Sequence, residues 1–208
     1  MLRLGVLVSG GGTNLQAIMD AIAHDGLPAR IVSVISSNPK AYALERAQKA
    51  GIPAVCFTKK DYPDQAAYDA AVIREFQDKQ VELVLTAGFM VIMGENFVRA
   101  FSGRIMNVHP ALIPAFSGKG FYGLHVHEAV LAKGVKVTGA TVHFVNEETD
   151  DGPIILQKPV FVHDDDTPET LQRRVMEEAE WVIYPQAIRL FAEGKLRVEG
   201  NIVKGAMA

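Results

Sequence analysis

One cysteine in 208 residues, Cys56, leaves no internal disulfide to form and no Cys-x-x-Cys pair to hold zinc or cycle electrons. There is no surplus of positive charge either: 21 Lys and Arg stand against 24 Asp and Glu, a net charge of −3. Such a chain offers little grip on a nucleic-acid backbone. Long apolar runs are also missing, since charges or glycines break each one before it reaches membrane-spanning length. Met1-Leu2-Arg3 leads straight into a strand pattern, with no signal segment and cleavage site. Nucleic acid and membrane are therefore not expected partners, and a cytoplasmic location is expected. What is present is an ordinary globular balance, 49% hydrophobic and 22% charged, enough for one domain over 1–208.

Short apolar runs alternate with helical patterns along the first half. Strands are predicted at 4–8, 31–35, 53–57, 83–87 and 105–109. Helices are predicted between them, the first capped by Thr13 or Asn14 and striped by Leu15, Ile18, Met19 and Ile22. This alternation implies an open, mostly parallel twisted α/β sheet with helices on both faces. After Pro110 the pattern changes to a long loop, a helix at 126–133, strands at 138–145 and 154–162, and a long helix at 168–192 kinked at Pro185. The second half is expected to extend the first sheet with an antiparallel portion, so that 1–110 and 111–208 are halves of one domain. Ligands in such a fold lie outside the carboxyl ends of the strands.

Ser9-Gly10-Gly11-Gly12-Thr13-Asn14 sits at the first of those ends. Leu15 occupies the third glycine position of a dinucleotide motif, and no Lys-Ser or Lys-Thr follows to make a triphosphate loop. A ligand-free tight turn is the plainer alternative, but three consecutive glycines exceed what a turn needs. The helix start with its exposed N–H groups suits one phosphate on a small molecule.

Asn107 and His109 are two apart at the end of a strand and leave its same face. An amide donor beside an imidazole suits a developing oxyanion. Asp150-Asp151-Gly152-Pro153 closes a polar stretch between two apolar strands. A carboxylate there can orient His109 or hold water against it, although an acidic hairpin in solvent is the ordinary alternative. His125, His127, His109 and His143 supply imidazoles for a metal in principle. His143 lies between Val142 and Phe144 in a strand that reads as core, and no His-Glu-x-x-His helix exists, so no metal is expected.

In combination, Ser-Gly-x-Gly-Thr-Asn-Leu at 9–15, Ala-Gly-Phe-Met at 87–90, Asn-x-His-Pro at 107–110 and Thr-Val-His-Phe-Val before Asp150-x-Gly resemble the phosphoribosylglycinamide formyltransferases. The resemblance runs in order from residue 4 to about 194. It implies a Rossmann-like formyltransferase fold. It also implies transfer of a formyl group from 10-formyltetrahydrofolate, as co-substrate, to the amine of glycinamide ribonucleotide in purine biosynthesis. By the same resemblance Asn107, His109 and Asp150 match the catalytic trio, and Gly12, Thr13 and Asn14 the phosphate loop. Met90, Val91, Ile92 and Met93 match the pterin wall, Asn146, Glu147, Glu148, Thr149 and Asp150 the folate loop, and Glu180 a contact to the ribonucleotide. The chain departs from the family pattern in its Asp150-Asp151 doublet, in a longer loop at 117–123, and in Gln65 where some members carry a basic residue.

A deformylase or an aminoacyl-tRNA formyltransferase uses the same donor. Those families carry an extra N-terminal or C-terminal domain, for which this sequence is not expected to have room. A non-catalytic sensor of a phosphoribosyl metabolite would keep the glycine loop without needing the trio. A monomer or homodimer is expected, with no stripe or charge asymmetry to hold another protein.

Overall fold

Leu4, Val6, Leu7 and Val8 are fully buried in β1 (Leu2–Val8) of the computed structural model, which describes residues 1–206. Burial on both faces is what a continuous apolar run of this length achieves in a parallel sheet. The chain forms two compact units, Met1–Met106 and a second beginning at Asn107.

In the first unit β1 is flanked in parallel by β2 (Ala29–Ser36) and β4 (Leu83–Thr86), and β3 (Ala54–Cys56) pairs in parallel with β2. Parallel neighbours need crossovers. These are supplied by α1 (Thr13–His24), α2 (Tyr42–Lys49) and α3 (Gln65–Asp78), with α4 (Glu95–Ala100) before β5 (Ile105–His109). Asp64 caps α3 by accepting the Ala67 N–H at 2.8 Å. The rings of Phe76, Phe97 and Phe101 pack between α3 and the α4 region.

One local expectation fails at the start of α1. Its N-cap is Gly12, in the left-handed region at φ 71°, and no side chain caps the helix. Thr13 and Asn14 lie inside the first turn instead. The position requires glycine twice over, because a Cβ there would also come within 2.6 Å of the Ala43 Cβ.

The second unit pairs β6 (Val137–Phe144) antiparallel with β7 (Ile154–Phe161), with an irregularity between Val142 and His143. Beyond β7 lies a hairpin absent from the sequence reading, β8 (Arg197–Glu199) and β9 (Ile202–Lys204), joined to β7 in parallel through Ile154 and Ile202. Helices α5 (Leu124–Lys133), α6 (Pro168–Val175) and α7 (Trp181–Ala192) complete the unit. The expected long helix is interrupted by a π-helical segment at Met176–Glu180, while Pro185 sits inside α7. A proline ring crowds the carbonyl four residues earlier, so the irregularity falls upstream of the proline rather than at it. The fold is thus a mixed sheet, parallel in its N-terminal part and antiparallel toward the C terminus.

Candidate functional site

The glycine loop leaves β1 in the first unit. Ser9 Oγ accepts the Met90 N–H at 2.9 Å and shares a 2.6 Å hydrogen bond with Ser37 Oγ. That hydroxyl ties two predicted site segments together, the glycine loop and the apolar stretch Met90–Met93. Met90 is 55% and Ile92 74% exposed, two large apolar side chains two positions apart in a loop beyond β4. Exposed apolar side chains of this size gain from being covered by an apolar ligand.

The predicted trio lies in the second unit. Asn107 and His109 end β5, and Pro110 stops the strand beyond them. Asp150 Oδ2 stands 3.5 Å from His109 Nδ1 and accepts the Gly118 N–H at 3.0 Å, while Oδ1 stands 3.7 Å from His143 Nε2. His109 Nε2 is 2.8 Å from the Phe116 carbonyl, which can only accept, so that nitrogen carries the proton. Both residues facing His109 have left-handed backbones, Phe116 at φ 52° and Asp150 at φ 57°. For a bulky aromatic this is an unfavourable conformation, the kind that gathers at functional sites. Asp151, by contrast, is exposed. With Asp150, Ile113, Pro114, Ile202 and Val203 it lines a cleft of about 390 Å³ beside the C-terminal hairpin.

His143, read from sequence as core, is buried as expected but does more than fill space. Its Nδ1 donates to the Phe144 carbonyl at 2.9 Å, which leaves Nε2 to accept from Asn107 Nδ2 at 3.2 Å. His143 therefore fixes the direction of the Asn107 amide. Nearly all of β6 is buried, so alternation gives no hint of this; the signal is a polar side chain in an apolar strand, which needs partners. Thr141 was missed in the same way. Its hydroxyl donates to Ala111 O at 2.7 Å and accepts from Ile113 N and Gln157 Nε2, both at 3.0 Å, pinning the chain just after His109.

The charges in this cluster are shifted by opposing effects. Burial lowers the His109 pKa; the Asp150 carboxylate and the Phe116 carbonyl oppose it, and His143 adds to the lowering. For Asp150 burial works upward, but it is outweighed by the neighbouring His143 and His109 imidazoles and the Gly118 N–H, and the carboxyl ends below its usual value. A carboxylate and a neutral, buried imidazole are thus held side by side near neutral pH. Such an arrangement can accept, hold and return a proton.

The remaining candidates are placed less centrally. Glu180 is buried, in the π-helical segment. In the folate-loop candidate, Asn146 Oδ1 accepts the Glu148 N–H at 3.0 Å, a turn that leaves Glu147, Glu148 and Thr149 exposed ahead of Asp150. Residues two apart on a helix diverge. Accordingly His125 faces solvent and pairs with Glu128 at 2.9 Å, while His127 is fully buried. Among the described residues no cluster of three or more His, Cys, Asp or Glu is arranged to hold a metal ion, and no helix is long and apolar enough to cross a membrane.

Burial drives His127 down to about 4, with the nearby His109 adding to the effect, and neither ring nitrogen has a hydrogen-bond partner among the described residues. The unfolded chain takes up this proton near pH 6.5, the folded chain only near pH 4. Stability from this group is therefore complete above pH 6.5 and is lost as pH falls toward 4, by roughly 3 kcal/mol in all. The drop in urea midpoint between pH 6.5 and 4 should be shallower in His127→Asn than in the parent. Parallel curves would show that His127 does not titrate this way.

Residues 2–188 match the family model described as formyl transferase. A phosphoribosylglycinamide formyltransferase of Haemophilus influenzae is 40% identical over 97% of this chain and 92% of its own length. The trifunctional purine biosynthetic protein adenosine-3 of Bos taurus is 44% identical over 96% of this chain, which corresponds to 19% of that larger protein. Among solved structures, glycinamide ribonucleotide transformylase 1 from Symbiobacterium toebii superposes with a TM-score of 0.93 at 48% identity, covering 98% of this chain and 93% of that one.

Proposed function

The chain belongs to the formyl transferase family, and on that premise we propose that it moves the formyl group of 10-formyltetrahydrofolate to the amine of glycinamide ribonucleotide, directly and with no acyl-enzyme. The names of the relatives support glycinamide ribonucleotide as the acceptor of a formyl group. The observation that carries the roles is the 3.5 Å approach of His109 to Asp150, with Asn107 held beside them by His143.

In this reading the neutral amine attacks the formyl carbon and the carbonyl oxygen gains negative charge. Asn107 Nδ2 donates to that oxygen, as does the His109 N–H that the Phe116 carbonyl holds in the free protein. The carbon–nitrogen bond to the folate then breaks. The proton lost by the amine reaches the departing nitrogen through water held at Asp150, so no proton is gained or lost overall. Gly12, Thr13 and Asn14 receive the ribonucleotide phosphate at the start of α1, aided by the helix dipole. Glu180 contacts the ribonucleotide. Met90, Val91, Ile92 and Met93 are assigned to the pterin, and Asn146, Glu147, Glu148, Thr149 and Asp150 to the folate. Cys56 Sγ meets the Thr58 hydroxyl at 3.8 Å, and among the described residues it has no histidine partner to activate it.

The protein mixed with 10-formyltetrahydrofolate and glycinamide ribonucleotide should give a rising absorbance of deformylated folate that depends on both substrates. Formate release without the ribonucleotide would make it a hydrolase. A flat trace with active folate would leave a non-catalytic sensor.

A further inference from the structure

Helix α2 grips the glycine loop from behind through two consecutive peptide units. The Ala43 N–H donates to Gly10 O at 3.1 Å, and Arg46 Nε donates to Gly11 O at 2.8 Å. Arg46 is itself oriented from two other sides. Its Nη1 donates to Gln16 Oε1 on α1 at 2.9 Å, and its guanidinium lies 5.0 Å from the centre of the Tyr42 ring. In a trans peptide the carbonyl and the following N–H point in opposite directions. Drawing both carbonyls toward α2 therefore turns the N–H groups of Gly11 and Gly12 away from it, in a common sense. Gly12 O is held by the Gln16 N–H at 2.9 Å as the first bond of α1, which fixes the next peptide along the helix axis. Successive N–H groups turned to one side make an anion nest. A cation on the Gly11 carbonyl also polarises that peptide, so its N–H, that of Gly12, becomes the stronger donor.

We infer that Arg46 is a positioning residue for the ribonucleotide phosphate: it does not touch the ligand but holds the glycine loop with its N–H groups aimed at the anion. The inference rests on the phosphate-loop reading given above. It explains why a cation stands behind a loop whose own side chains are small and uncharged. It also separates Arg46 from Lys49, which lies 5.4 Å from the centre of the Tyr42 ring and pairs with Glu45 at 4.0 Å.

The test is steady-state kinetics on the full chain with Arg46→Met and Arg46→Lys, alongside Asn14→Ala, and amide hydrogen exchange over residues 9–16 without ligand. Arg46 borders an open groove lined by Met19, Ile22, Ile31 and Tyr42, so methionine fits without stranding a charge. Arg46→Met should raise KM for the ribonucleotide about tenfold. kcat, KM for the folate and Tm should stay near parental values, and exchange over 9–16 should quicken. Arg46→Lys should recover part of the loss, since an ammonium reaches Gly11 O but not Gln16 at the same time. Should Asn14→Ala raise that KM and Arg46→Met not, the loop is a phosphate site and the inference about Arg46 is wrong. If neither does, the phosphate-loop reading itself falls. A rise in both KM values together with a lower Tm would reduce Arg46 to a structural tie and overturn the inference.

Discussion

Asp150→Asn should lower kcat by on the order of a thousandfold, within the span that a positioned acid–base group contributes, whereas Asp151→Asn should change it by no more than about twofold. The contrast follows from where the two carboxylates point. Asp150 meets His109, His143 and the Gly118 N–H, and Asp151 is exposed. Asparagine is the informative replacement because, like aspartate, it tolerates the left-handed backbone found here at φ 57°. The loop should therefore keep its course and lose only its charge. A second signature comes from His109, whose pKa the carboxylate raises against the effect of burial. Without that carboxylate the imidazole gives up its proton at lower pH still, so any His109 limb of the kcat/KM profile should move to more acidic pH. Equal losses from the two substitutions, in assays with saturating substrates, would mean that the wrong member of the doublet was assigned.

The parallel half of the fold was legible because its strands are buried on both faces. Leu4–Val8 and Ile31–Ile35 are continuous apolar runs that stop at glycine or serine, a pattern with few alternative readings. The C-terminal hairpin was overlooked although Gly200-Asn201 between Val198-Glu199 and Ile202-Val203 is a two-residue hairpin signal; three-residue strands leave too little periodicity to notice. The π-helical segment has no signal of its own, since Met176–Glu180 reads as ordinary helix and only Pro185 warns of strain nearby. In the candidate site, Asn107, His109 and Asp150 were legible as chemistry at the end of a strand and in an acidic turn. That they meet is legible through the family resemblance and not through any local rule, because His109 and Asp150 lie 41 positions apart. His143 is the opposite case: its burial is legible in the apolar strand around it, but burial does not make it inert. A buried imidazole with partners on both nitrogens is a fixed part, and here it fixes Asn107.

Gly152→Ala should be the most disruptive single-methyl change in the second unit, lowering stability by about 3 kcal/mol or more and removing activity even at temperatures where the protein stays folded. A Cβ at 152 would be driven into the carbonyl oxygen of Phe144, with Asn146 N also close. Backbone cannot yield as the end of a long side chain does. The Phe144 N–H is bonded to Pro153 O at 2.9 Å on the adjoining chain, and the carbonyl under attack is the one that accepts His143 Nδ1. Displacing it would free the imidazole that holds Asn107, while the turn carrying Asp150 two residues earlier is pushed off the same strand. One methyl group thus reaches two of the three proposed catalytic side chains, Asn107 by way of the carbonyl and Asp150 by way of the turn. Gly26→Ala is the matched control: it has φ +63° with open space around it, so it carries only the left-handed penalty of about 1–2 kcal/mol, and activity should survive. Urea midpoints with kcat measured well below each variant's Tm separate the two effects. A Gly152→Ala protein with parental kcat would show that the acidic turn can be displaced without consequence, and the role given to Asp150 would fall with it.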